Sequence, residues 1–165
     1  MISSLTVANF FIKKSIQENK GINVQKLLKL VFSSQAWHLG YFEKPLFEDN
    51  IVSAKFGVTI PNLYRHVHQW KNTVISAQIP NVVDISLLSL PHEHSMALLA
   101  HIWKSYADIL PVELSNLIDT ETVLPYKYRN ENSTKFNGSI IPLCEIKDEY
   151  QKLVIVNQVK QGQTY

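Results

Sequence analysis

Six histidines are the first residues in this 165-residue chain whose chemistry could hold a metal or move a proton. His66 with His68, and His92 with His94, stand two apart. On a helix that step turns the side chains about 200° away from each other, so neither pair chelates unless the backbone is not helical. His94 and His101 share a helical face but lie about 10 Å apart along the axis. An imidazole reaches zinc at about 2.0–2.1 Å, so the two have no ion in common. His38, beside Trp37, reads as a packed or surface histidine. No metal and no cofactor is expected.

Nucleophilic and acid–base chemistry is equally thin. The chain has no G-x-S-x-G elbow and, with five glycines, no Gly-rich phosphate loop. Adjacent carboxylates occur at Glu48-Asp49 and Asp148-Glu149, in contexts that read as a turn and a solvated helix. The lone Cys144 excludes an internal disulfide and a cysteine-rich zinc site, and it reads as a small buried apolar residue. The expectation is a protein that is not an enzyme.

The elements that position these residues are mostly helices. Ser3 or Ser4 caps a first helix with Leu5, Ala8, Ile12 and Ile16 in one stripe, and Asn19-Lys20-Gly21 stops it. Asn23 caps a second, with Val24, Leu27, Leu28, Val31 and Gln35 in one row and Lys26, Lys29 and Ser33 outside the apolar face. Gly40 marks its fraying end. Alternation over residues 51–56 reads as a short strand, with Leu46-Phe47 as its hairpin partner. Gly57 ends that strand, and Pro61 opens a third helix. Residues 71–88 read as loop with one short element. A long helix is expected from Ser89 to Ala107, another from Pro111, and a last from Ile140 to Val156. The fold class is therefore mainly α, a multi-helix domain with a small β-hairpin between the second and third helices. Residues 1–156 form one domain, and 157–165 read as a polar tail.

Bulk composition narrows the partners. The net charge is +2, too weak a basic excess for an obligate nucleic-acid binder. The charge is unevenly spread: residues 1–30 hold five lysines against one glutamate, and residues 108–149 hold eight acids against four bases. The helix from Pro61 offers Asn62, Arg65, His66 and Gln69 outward, a DNA-reading face with a single arginine. No segment has the ~20 apolar residues of a membrane span, and Lys13 and Lys14 interrupt what a signal peptide would need. The cytoplasm is the expected location.

A chain-long pattern adds to this. Val24-Gln25-Lys26-Leu27-Leu28-Lys29-Leu30-Val31-Phe32 followed by Gln35-Ala36-Trp37-His38-Leu39 resembles the signature helix of the Panacea domain, the SocA-like antitoxin or phage-associated GepA family. Lys44-Pro45-Leu46-Phe47, Ala54-Lys55-Phe56-Gly57 and Ile60-Pro61-Asn62-Leu63-Tyr64 are similar to its turn and its strand–glycine–helix step. Thr6-Val7-Ala8-Asn9-Phe10-Phe11, Ile102-Trp103-Lys104-Ser105-Tyr106 and Glu113-Leu114-Ser115-Asn116-Leu117 fit its other helices. There are departures. A Trp-Lys-Tyr-Gly-Pro-Val type segment is replaced by residues 53–59, without the tryptophan or proline. Ile118-Asp119 stands for a Thr-His pair, and Pro125-Tyr126 for a Pro-Trp.

The resemblance implies an antitoxin that neutralises a cognate protein toxin by direct contact, in a toxin–antitoxin system. An adaptor that delivers a bound client to a cytosolic AAA+ protease is the alternative, with a DNA-binding regulator behind it. Such a task needs a rigid scaffold with aromatic or arginine anchors rather than a reactive centre. The candidate contact residues are Lys55, Phe56, Gly57, Tyr64, Arg65, Tyr126 and Tyr128, with Tyr64 and Trp70 read more readily as core and Lys55, Arg65 and Tyr128 as the exposed ones.

Overall fold

The structure, a computed structural model, describes residues 2–55, 57–133 and 138–163. Among the described residues seven α-helices build one apolar core: α1 (Ser4–Gln17), α2 (Val24–Phe42), α3 (Pro61–Val67), α4 (Ser95–Tyr106), α5 (Pro111–Glu121), α6 (Leu124–Lys127) and α7 (Leu143–Gln163). Short strands β1 (Val52–Ala54), β2 (Gly57–Thr59) and β3 (Ser139–Ile140) form an antiparallel sheet in the order β2-β1-β3. The mainly helical class and the hairpin between α2 and α3 match the sequence reading.

α2 is the axis of the fold. Leu27, Leu30 and Val31 on it are wholly buried, and α1, α4, α5 and α7 pack around it. The sequence placed Lys26, Lys29 and Ser33 outside the apolar face; the structure buries all three. The reason is that a helix packed by four others keeps little solvent face, and lysine stems are long enough to run along apolar neighbours to a polar end. Lys26 reaches the end of α4, donating to the carbonyls of Ala107 at 2.7 Å and Ile109 at 2.6 Å. A cation there satisfies the carbonyls a helix terminus leaves unpaired.

Gly40 does not fray the helix. It is buried inside α2, where a Cβ would stand 2.9 Å from Tyr150 Cβ and 3.0 Å from the Tyr150 carbonyl. The missing side chain lets α7 lie against α2. The first helix is ended by Asn19, which takes the left-handed conformation (φ 54°) expected of Gly21.

Leu46 and Phe47 are not the partners of β1. Their backbone is held by the amide of Gln35, and β1 pairs with β2 and β3 instead (Val52 opposite Thr59 and Ile140). Gly57 opens β2 rather than ending a strand, at a φ of 117° that side-chain-bearing residues rarely adopt. α4 starts at Ser95, six residues later than expected, because residues 91–94 make a bend and a turn before it. α6 was not foreseen. α7 starts at Leu143 and continues to Gln163, so residues 157–163 are helical where a tail was read. Cys144, in its first turn, is exposed rather than buried.

Residues 71–88 lack regular structure apart from a 3-10 turn at Ile85–Leu87. They are pinned by buried Asn9, whose side chain donates to Ile79 O at 3.0 Å and accepts from Ile79 N at 2.7 Å. Asp49 accepts the Ser4 N–H at 2.7 Å, a carboxylate at the positive end of α1.

Gly40→Ala tests the α2–α7 contact. Alanine favours a helix by about 1 kcal/mol over glycine, but here overpacking against backbone costs about 1–3 kcal/mol. A Tm several degrees below wild type is expected in a thermal melt; an unchanged or raised Tm contradicts the close approach.

Candidate functional site

A groove of about 830 Å³ opens where the first turns of α2, the β1–β2 hairpin and α3 meet. α2 supplies Asn23, Val24, Gln25, Leu28 and Lys29. The hairpin supplies Ala54, Lys55, Gly57, Val58 and Thr59, and α3 with the turn after it supplies Tyr64, His68, Lys71 and Asn72. Local chemistry explains each position. Asn23 Oδ1 accepts from Lys26 N at 2.8 Å and so fixes the start of α2. Gly57 opens β2 at a positive φ, and Lys55 near it is exposed. Pro61 starts α3, which places Tyr64 one turn before His68, their rings 5.7 Å apart.

Three lysines, Lys29, Lys55 and Lys71, line this groove, and no aspartate or glutamate is among its described lining residues. The first turn of α2 carries no acid, so the positive end of that helix adds to the same sign.

The structure brings only part of the sequence-derived contact set together. Lys55, Gly57 and Tyr64 share the groove. Arg65 is exposed on a separate surface with Glu48, Asp49 and Asn62. Tyr126, 80% exposed, projects from α6. Tyr128 is half-buried and donates its hydroxyl to Glu145, which also pairs with Lys127 at 2.7 Å. Tyr64 and Trp70 are half-buried against the core. Phe56 lies outside the described residues. α6 is tied to the sheet because Ser53 Oγ donates to Pro125 O. Lys29 and Lys71 were missed. Lys29 had been assigned to solvent, and nothing in the sequence marks Lys71, which reaches the groove through a tight turn (φ 50°).

Sequence reasoning also missed a serine–histidine pair. His38 lies within 2.5 Å of Lys44 O through Nδ1 and 2.7 Å of Ser95 Oγ through Nε2. A carbonyl only accepts, so Nδ1 carries the proton and Nε2 accepts from the serine hydroxyl. That is the orientation of a nucleophile and its base. Both residues are wholly buried, however, and Ser95 Oγ also accepts from His92 N at 3.1 Å. Neither lines the groove, the cavity beside α1 at residues 84–86, or the surface pocket at Arg65. The pair ties α4 to α2, and burial holds the imidazole below its ordinary pKa of 6.5.

His92 stacks on Phe42 at 4.0 Å, and its ring stands 5.4 Å from that of His94. The helical argument against this pair therefore does not apply, since both precede α4. Among the described residues no group of three or more His, Cys, Asp or Glu is placed to hold a metal ion. No helix there is long and apolar enough to cross a membrane.

A second buried polar group lies between α2, α4, α5 and α7. Glu121 is pushed up to about 7 by burial, opposed by a hydrogen bond from the Trp37 indole. Burial and then the Glu121 charge push Tyr106 up to about 12. Glu121 Oε1 and the wholly buried Tyr150 hydroxyl have no hydrogen-bond partner among the described residues.

The model of the SocA-like antitoxin family, Panacea domain, matches residues 27–123, more than half of the chain. That match runs from α2 through α5 and includes most of the groove's lining. No curated protein and no solved structure matches the chain.

A carboxyl that folding raises keeps its stabilising effect below its ordinary pKa of 4.5 and loses it as pH climbs through about 7. The Tm advantage of Glu121→Gln over wild type should therefore widen from about pH 4.5 to about 7 and then level off. His38, shifted the other way, loses its contribution as pH falls below 6.5, so the difference between the two proteins isolates Glu121. A Tm difference independent of pH contradicts the shift.

Proposed function

This chain belongs to the SocA-like antitoxin family built on the Panacea domain, and on that premise we propose that it neutralises a protein toxin by gripping it. The family match carries the reading. The groove supports it, because a fixed concave surface with an aromatic side chain and mixed polar lining is what recognition of another protein needs. On this reading the protein turns over no substrate. The buried Ser95–His38 pair serves the scaffold, and the cytoplasm is where such a partner would be met.

DNA reading fits less well. α3 is only seven residues long, and Arg65 is its one arginine. A recognition helix presents several polar side chains to base edges along its exposed face.

Co-expression with the product of the adjacent reading frame tests the proposal. Growth of cells poisoned by that product should recover, and the two proteins should co-purify. Toxin levels should stay constant if contact alone neutralises, and protease-dependent loss of the toxin marks delivery for degradation instead. Undiminished toxicity with no complex overturns the antitoxin reading.

A further inference from the structure

We propose that the groove between α2, the hairpin and α3 takes an acidic, extended segment of the partner protein; this rests on the antitoxin reading and names the chemistry of its contact. Lys29, Lys55 and Lys71 enter the groove from three different elements, and no described lining residue is a carboxylate. Lys55 and Lys71 are exposed and Lys29 is buried, so an incoming carboxylate reaches the first two directly from solvent. Of the remaining lining, Gln25 and Asn72 carry amide groups that hydrogen-bond to a peptide.

The sheet edge favours a polypeptide over other anions. β2 is the outer strand of the sheet, paired only with β1 among the described strands, and all three of its residues line the groove. An edge strand presents N–H and C=O groups to the side away from its partner, the surface on which an extended peptide adds. A nucleic-acid strand has no use for that edge. The groove also lacks the arginines that grip phosphate in pairs. The rest of the chain fits as well: a net charge of only +2 leaves no wider basic field to track a long polyanion.

Fluorescence anisotropy with the full-length protein tests this. The probe is a fluorescein-labelled decaglutamate peptide, compared with labelled decalysine, a Gly-Ser peptide and single-stranded oligothymidine. Decaglutamate should bind alone, and weaken several-fold when salt rises from 50 to 200 mM, as expected for contacts screened within roughly 10 Å. The double variant Lys55→Glu with Lys71→Glu should bind about tenfold more weakly. Exposed Lys104→Glu with Lys152→Glu makes the same change in net charge outside the groove and should bind like wild type. Thermal melts check that each variant is folded, and Lys71 exchanges one straight-chain residue for another at an unchanged φ.

Decaglutamate that fails to bind, or binds both double variants equally, overturns the proposal. Tighter binding of oligothymidine overturns it in favour of nucleic acid. The co-expression result separates the two readings: toxin neutralised by wild type and by Lys55→Glu with Lys71→Glu alike sinks the acidic segment and leaves the antitoxin standing.

Discussion

A helix enclosed on every side must find a partner for each polar group it carries, because an unpaired buried donor or acceptor costs about 1–3 kcal/mol. α2 comes close to this, with only Gln25 and Tyr41 of its residues exposed, and its polar side chains find their partners mainly in the backbone of other segments. Gln35 accepts from Leu46 N at 2.7 Å and Phe47 N at 3.2 Å, and donates to Phe47 O at 2.7 Å. His38 holds Lys44 O and Ser95, and Lys26 holds the end of α4. Ser34 turns back to Leu30 O at 2.8 Å, and Ser33 Oγ has no partner among the described residues. An apolar core fixes volume but not direction. These bonds fix direction, since each is satisfied at one arrangement of two chains.

The groove inherits its shape from this arrangement. Gln35 and His38 anchor residues 44–47, which lead directly into β1 and the hairpin. Asp49, just beyond, is held by the start of α1 and by Asn62 Nδ2 at 3.3 Å, so α3 is tied to the same loop. Lysines presented from such anchored elements keep their spacing without a partner present. Their exposed side chains are still ordered on binding, at about 0.5–1.5 kcal/mol each.

Much of this was legible in the sequence, for reasons that differ by element. Apolar spacing located α1, α2 and α5, and proline placed the starts of α3 and α5. Gln35 stood in the apolar row of α2, so a buried amide there was visible, but its partner twelve residues on was not. Periodicity shows that a face is covered without showing by how many neighbours. That is why Lys26 and Lys29 were assigned to solvent. Turns around His92 and His94 looked helical because Pro91, beside them, is a residue that the first turn of a helix tolerates. Within the site, Lys55, Gly57 and Tyr64 were found through the strand–glycine–helix pattern. Lys71 comes from a turn whose placement depends on tertiary contacts, and the scatter of Arg65 and Tyr128 onto other surfaces could not be read from their spacing.

Native-state hydrogen exchange at the Leu46 and Phe47 amides tests most directly whether α2's buried polar groups hold the loop that carries the site. In the wild type both amides should exchange only through global unfolding. In Gln35→Leu, which orphans three backbone groups, both should exchange through local opening, with global stability lower by about 3 kcal/mol or more. If the two amides keep wild-type protection in a Gln35→Leu protein of unchanged stability, the apolar core positions the loop unaided and the account is wrong.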